Sequence, residues 1–109
     1  MSLDGAAPTE RQLQRPSAHE ARQRLEHARA TRLTQLRALD AAGHAPDDYV
    51  AAGQRDAIER ALKEIDDAFT RIEDGTYGTC RGCAKPVPAE RLEILPYTRH
   101  CVACGRRAA

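Results

Sequence analysis

The sequence predicts a mainly α protein: a long antiparallel helical hairpin, or coiled coil, followed by a small module built on four cysteines and ending in a short helix. Three observations predict it. One apolar stripe repeats at heptad spacing, a Gly-Pro loop divides two long stretches free of Pro, and two C-x-x-C pairs close the chain. The composition agrees. Only 4% of the 109 residues are aromatic and 30% are charged, which suits solvent-washed helices better than a bulky globular core.

Residues 1–16 mix Ala, Pro, Gly, Gln and charges without period and are expected to form a mobile tail. The hairpin is expected over 17–74. Ser17 and Glu20 have the spacing of a capping box, and no Pro or Gly interrupts the chain from Ala18 to Ala42. Leu25, Ala28, Leu33, Leu36 and Leu39 form its apolar stripe. Gly43-His44-Ala45-Pro46 stops this helix, and Asp47 or Asp48 can cap the next.

The second helix is expected from about Asp48 to Asp74. Ile58, Leu62, Ile65, Phe69 and Ile72 follow one another at intervals of four, three, four and three, an a/d seam. Asp74-Gly75 ends it. A short loop makes the helices antiparallel neighbours, with the hairpin tip near 40–48.

The cysteine module is expected over 75–109. Cys80 and Cys83 are separated from Cys101 and Cys104 by seventeen residues. Two residues between thiolates let the backbone curl so that both sulfurs meet one ion, and two such knuckles complete a tetrahedron. The spacing therefore predicts one structural zinc ion. A catalytic zinc keeps an open position, and four sulfurs leave none. His100 is an alternative ligand beside Cys101, and a pair of redox-active dithiols is the alternative chemistry. Between the knuckles, 86–95 is expected to hold a short helix, with Pro88 in its first turn and Leu92, Ile94 and Leu95 packing inward.

Net charge is +1, so no overall field draws the chain to nucleic acid or membrane. No apolar run is long enough to span a bilayer, and the N-terminus lacks the order of a secretory signal. A reducing, cytoplasmic setting is expected, where thiolate–metal sites are favoured over disulfides. Arg81, Lys85, Arg99, Arg106 and Arg107 surround the cysteines. They offset the charge of a zinc tetrathiolate. The alternative function is a stand-alone zinc ribbon binding nucleic acid or a protein through this basic face. No nucleophile–base pair or phosphate loop suggests an enzyme.

The run Gly75-Thr-Tyr77-Gly78-Thr-Cys80-Arg-Gly-Cys83, then Val87-Pro88-Ala-Glu90-Arg91-Leu92-Glu93, Pro96 and Cys101-Val-Ala-Cys104, resembles the zinc-finger signature of the DksA/TraR family. The resemblance implies a bacterial transcription regulator that binds RNA polymerase. It implies a hairpin inserted in the secondary channel with its tip near the catalytic magnesium, often with the alarmone ppGpp in the complex, and no sequence-specific DNA readout. The family's tip motif, Asp-x-x-Asp-x-Ala, is not repeated here. Counting back from Cys80 puts Asp40-Ala41-Ala42 over its second half and Arg37 at its first Asp. The resemblance thus points to Asp40 and Ala42 as tip residues. His44, Asp47 and Asp48 in the loop are the other candidates, and capping is the competing role for the two acids.

Overall fold

The computed structural model describes residues 16–108, so the expected tail lies outside the described residues except for Pro16. Among the described residues four helices follow in order: α1 (Ala18–Ala41), α2 (Tyr49–Asp74), α3 (Ala89–Ile94) and α4 (Val102–Ala108). Residue pair Thr79 and Pro86 forms an isolated antiparallel bridge. No described helix is long and apolar enough to cross a membrane.

Local chemistry sets the ends of the long helices. The Ser17 hydroxyl accepts the Glu20 amide at 3.1 Å, and the Glu20 carboxylate accepts the Ser17 amide at 3.1 Å. That reciprocal pair occupies two of the amides a helix start leaves without partners. It also holds the Glu20 carboxyl below its ordinary value, the Ser17 backbone hydrogen bond being the largest cause. After α1 the chain passes through Gly43 at φ 65°, a left-handed turn that glycine makes without strain. Asp48 caps α2, its side chain accepting the Ala51 amide at 3.0 Å. Gly75, at φ 83°, ends α2, and the Arg71 carbonyl then accepts the amides of Thr76 and Tyr77.

Two ion pairs cross the hairpin, Arg29 with Asp66 and Arg55 with Asp40. From Arg29 to Asp40 the chain advances eleven residues, and from Asp66 to Arg55 it retreats eleven. One antiparallel register therefore runs along the rod. Each pair is half exposed and contributes at most about 1 kcal/mol, so the pairs mark the register more than they stabilise it.

The seam differs in detail from the heptad reading. Of Ile58, Leu62, Ile65, Phe69 and Ile72, only Ile65 is fully buried. The other enclosed apolar positions on α2 are Ala51, Ala61 and Ala68. The deepest line is thus rotated by about one residue from the predicted one. Small alanines let two helices approach closely, and the larger side chains flank the contact half covered. Among the described residues each long helix has one long neighbour, which leaves the outer sides of these side chains partly uncovered. Leu25 meets Ile65 and Ala68, with Ala28, Phe69, Ile72, Tyr77 and Tyr97 packed around them. This core sits at the base of the hairpin. Towards the tip, Leu33, Leu36, Leu39 and Ile58 are only half buried.

A second core lies in the cysteine module, where Cys80, Val87, Leu92 and Cys104 pack together. Tyr77 touches both cores, and its hydroxyl donates to the Pro96 carbonyl at 2.7 Å. It joins hairpin to module as a packing residue. The expectation for Ile94 is corrected: Leu92 is fully buried, but Ile94 is 78% exposed. A helix of six residues presents one narrow face inward, and Ile94 lies two residues, or about 200°, around from Leu92.

Candidate metal centre

The first knuckle is built by the backbone around Cys80. The Cys80 amide donates to the Lys85 carbonyl at 2.8 Å, and the Ala84 amide returns to the Cys80 carbonyl at 2.9 Å. The Arg81 amide donates to the Arg99 carbonyl at 2.8 Å, which ties this knuckle to the segment leading into the second. There the Gly105 amide donates to the Cys101 carbonyl at 2.8 Å as α4 begins.

These turns bring the sulfurs of Cys80, Cys83, Cys101 and Cys104 within 4.8 Å of one another. The Cys83 and Cys101 sulfurs lie 3.9 Å apart, and none of the four cysteines is in a disulfide. The arrangement fits zinc. With Zn–S bonds of about 2.3 Å, a tetrahedron sets its sulfurs roughly 3.8 Å apart. The set contains no imidazole. His100 instead uses its carbonyl, which accepts the Arg91 Nε at 3.0 Å and the Thr98 hydroxyl at 3.1 Å.

The donors around the site favour thiolate. The amides of Gly82 and Cys101 each point at the Cys80 sulfur from 3.3 Å. Led by the Cys101 amide, these contacts lower the Cys80 thiol to about 6. Cys101 is also lowered, chiefly by the Cys104 amide. Cys104 is pushed up to about 12, first by its contact with the Cys101 side chain. Thiolate character is therefore most favoured at Cys80. A dication would be held by these four sulfurs as thiolates.

Two backbone details make the knuckle tight. A Cβ at Gly82 would fall 3.0 Å from both Cβ and Sγ of Cys104, so glycine is needed for close approach. Ala84 stands at φ 64°, the left-handed region that alanine rarely occupies.

Arg71 is a residue that the sequence reading missed. It lies on α2 with 3% of its surface exposed. Its Nη2 donates to the carbonyls of Thr98 at 3.3 Å and Tyr97 at 3.5 Å, next to the second knuckle. Burial draws its pKa down, and the nearby Arg99 and Arg81 add to this. One signal was available, since Arg71 continues the Ala61, Ile65, Ala68 line at helical spacing. Of the basic residues around the cysteines, Arg99 pairs with Glu64 at 3.4 Å, while Arg81, Lys85, Arg106 and Arg107 are exposed.

At the far end of the hairpin the expected tip residues are close together but differently engaged. Asp40 pairs with Arg55, and Ala42 forms the exposed C-cap of α1. His44 Nδ1 lies 3.2 Å from an oxygen of Asp48, whose other oxygen caps α2. That cap, through the Ala51 amide, is the largest cause holding the Asp48 carboxyl low. Asp47 is exposed. Beside it, Tyr49 and Val50 are 86% and 73% exposed, an apolar pair that the sequence reading did not single out.

Comparison with known proteins identifies the module. Residues 75–108 match the family described as the prokaryotic dksA/traR C4-type zinc finger. General stress protein 16O of Bacillus subtilis is 44% identical over 41 residues, which cover 38% of this chain and 25% of that protein. The RNA polymerase-binding transcription factor DksA of Caulobacter vibrioides is 30% identical over 88 residues, 81% of this chain and 62% of the relative. The chain thus spans less than two thirds of either relative. The structure of transcription factor DksA2 from Pseudomonas aeruginosa shares the fold, with a TM-score of 0.52 over 94% of this chain and 91% of that one, at 23% identity. Residues 75–108 thus form a C4-type zinc finger of the dksA/traR kind, carried on a helical hairpin that shares the DksA2 fold.

Proposed function

We propose that the chain is a non-enzymatic transcription regulator that binds bacterial RNA polymerase, enters its secondary channel hairpin first and modulates initiation. One observation carries this reading. An 88-residue match within 109 residues takes in 22–88 whichever end it leaves out. The likeness to a factor named for polymerase binding therefore includes the hairpin and its tip, not the finger alone.

The shape supports the same reading. The chain measures 63 × 29 × 23 Å. Helices of 24 and 26 residues give a rod of about 36–39 Å, two helix diameters wide at most. A rod of that form suits a narrow channel, and the wider zinc module at its base limits how far it enters. The exposed cations of the module balance the tetrathiolate charge and need no base-reading role. The working place is the cytoplasm, with the polymerase, and ppGpp joins the assembled complex rather than the free chain.

The test is co-elution of the zinc-loaded chain with purified bacterial core polymerase at micromolar concentration, with and without ppGpp. A complex is expected, together with a changed yield of transcripts from at least some promoters. No association at that concentration would sink the reading.

A further inference from the structure

We propose that the hairpin tip meets its partner through Asp47, Tyr49 and Val50, and that Asp40 is a structural residue of the hairpin. The inference rests on the polymerase reading and names the contact surface within it.

Three carboxylates stand at the tip, and the fold uses two of them. Asp40 is committed across the hairpin to Arg55. Asp48 has both oxygens engaged, one by the Ala51 amide at 3.0 Å and one by His44 Nδ1 at 3.2 Å. Either would have to break an existing contact before it met a cation on another molecule. Asp47 would not. It is exposed, and no ion pair or hydrogen bond engages its side chain among the described residues.

The two residues after the cap add apolar surface. Tyr49 and Val50 open α2, yet neither enters the seam, and both project into solvent. Neither type is a strong helix former, so helix stability does not explain them. A single exposed apolar residue needs no explanation. Here, however, the pair lies at the extremity of the rod, two residues from the one disengaged acid of the tip. Tyrosine is enriched in protein interfaces because a large rigid ring carries a polar hydroxyl. The surface fits a cationic group beside an apolar recess on the polymerase. Asp40 matches the family motif in register, but its pairing ties α1 to α2 just behind the tip.

The test compares affinities for purified bacterial core polymerase among the unaltered chain, Asp47→Asn, a Tyr49→Ala, Val50→Ala double variant and Asp40→Asn. All are zinc-loaded and checked for helix content. Asp47→Asn and the double variant are each expected to weaken binding by about tenfold or more. Asp40→Asn is expected to stay within about twofold while melting at a lower temperature. If either Asp47→Asn or the double variant binds like the unaltered chain, or Asp40→Asn loses as much as they do, the inference falls and the polymerase reading stands. If the unaltered chain does not bind, both fall.

Discussion

The guanidinium of Arg71, on α2, donates to the carbonyl of Thr98 at 3.3 Å, reaching from the hairpin into the strand of chain that leads to Cys101. The hairpin thus holds the second knuckle by a buried cation on backbone oxygens. Hydrogen bonds to charged groups contribute about 1.5–3 kcal/mol. Arg71→Ala should therefore destabilise the protein by roughly 2–4 kcal/mol, adding the lost packing. Arg71→Lys should recover only part of this, since an ammonium lacks the planar fork. Urea unfolding of the zinc-loaded proteins measures both.

Removing the metal should affect the two ends of the molecule differently. The module core consists of Cys80, Val87, Leu92 and Cys104, too little to fold unaided. Chelation should open 75–108 to protease while most of the signal from α1 and α2 persists in circular dichroism. Cys80→Ser should impair zinc retention more than Cys83→Ser. Cys80 is buried and takes two amides on its sulfur, whereas Cys83 is exposed. Equal loss in the two variants would contradict the asymmetry.

The knuckle backbone gives a pair of opposite expectations. Gly82→Ala sets a methyl 3.0 Å from Cys104 Sγ and should weaken zinc affinity by about 10–100-fold, the range seen when groups supporting a ligand are disturbed. Ala84→Gly relieves a left-handed alanine, a gain of about 1–2 kcal/mol. The greater freedom of glycine in the unfolded chain takes back about 0.5–1 kcal/mol. A small net stabilisation is expected. Competition with a chromophoric chelator reads the first, and thermal melting the second.

The Asp48 cap should show in the pH dependence of stability. Its carboxyl is lowered from 3.8 in the folded chain, first by the Ala51 amide. A lowered acid contributes stability above its unfolded value and loses it as pH falls through the folded one. Asp48→Ala should melt below the parent at neutral pH, and the gap should close as the medium is acidified below about 4. Asp48→Asn keeps a capping oxygen and should melt closer to the parent at neutral pH. Comparing proteins at each pH cancels the loss of zinc in acid, which all of them share.

How much was legible beforehand follows from the range of each interaction. Ser17 with Glu20, Asp48 with Ala51 and the turn at Gly75 act across a few residues, so residue type at fixed spacing announces them. The cysteines act across a longer stretch, but a tetrahedral ion demands four like donors in two close pairs, and that demand is written in their spacing. The helices, their order and the metal centre could therefore be read from the sequence by itself. The deepest line of the seam, the burial of Arg71, the exposure of Ile94 and the sharing of the tip acids between Arg55 and His44 could not. Each depends on the rotation of two helices about their axes and on the register between them. These are settled only when both helices pack at once, with small alanines setting the approach. Tertiary structure alone decided that Asp40 faces across the hairpin and that Asp47, seven residues on, faces away from it into solvent.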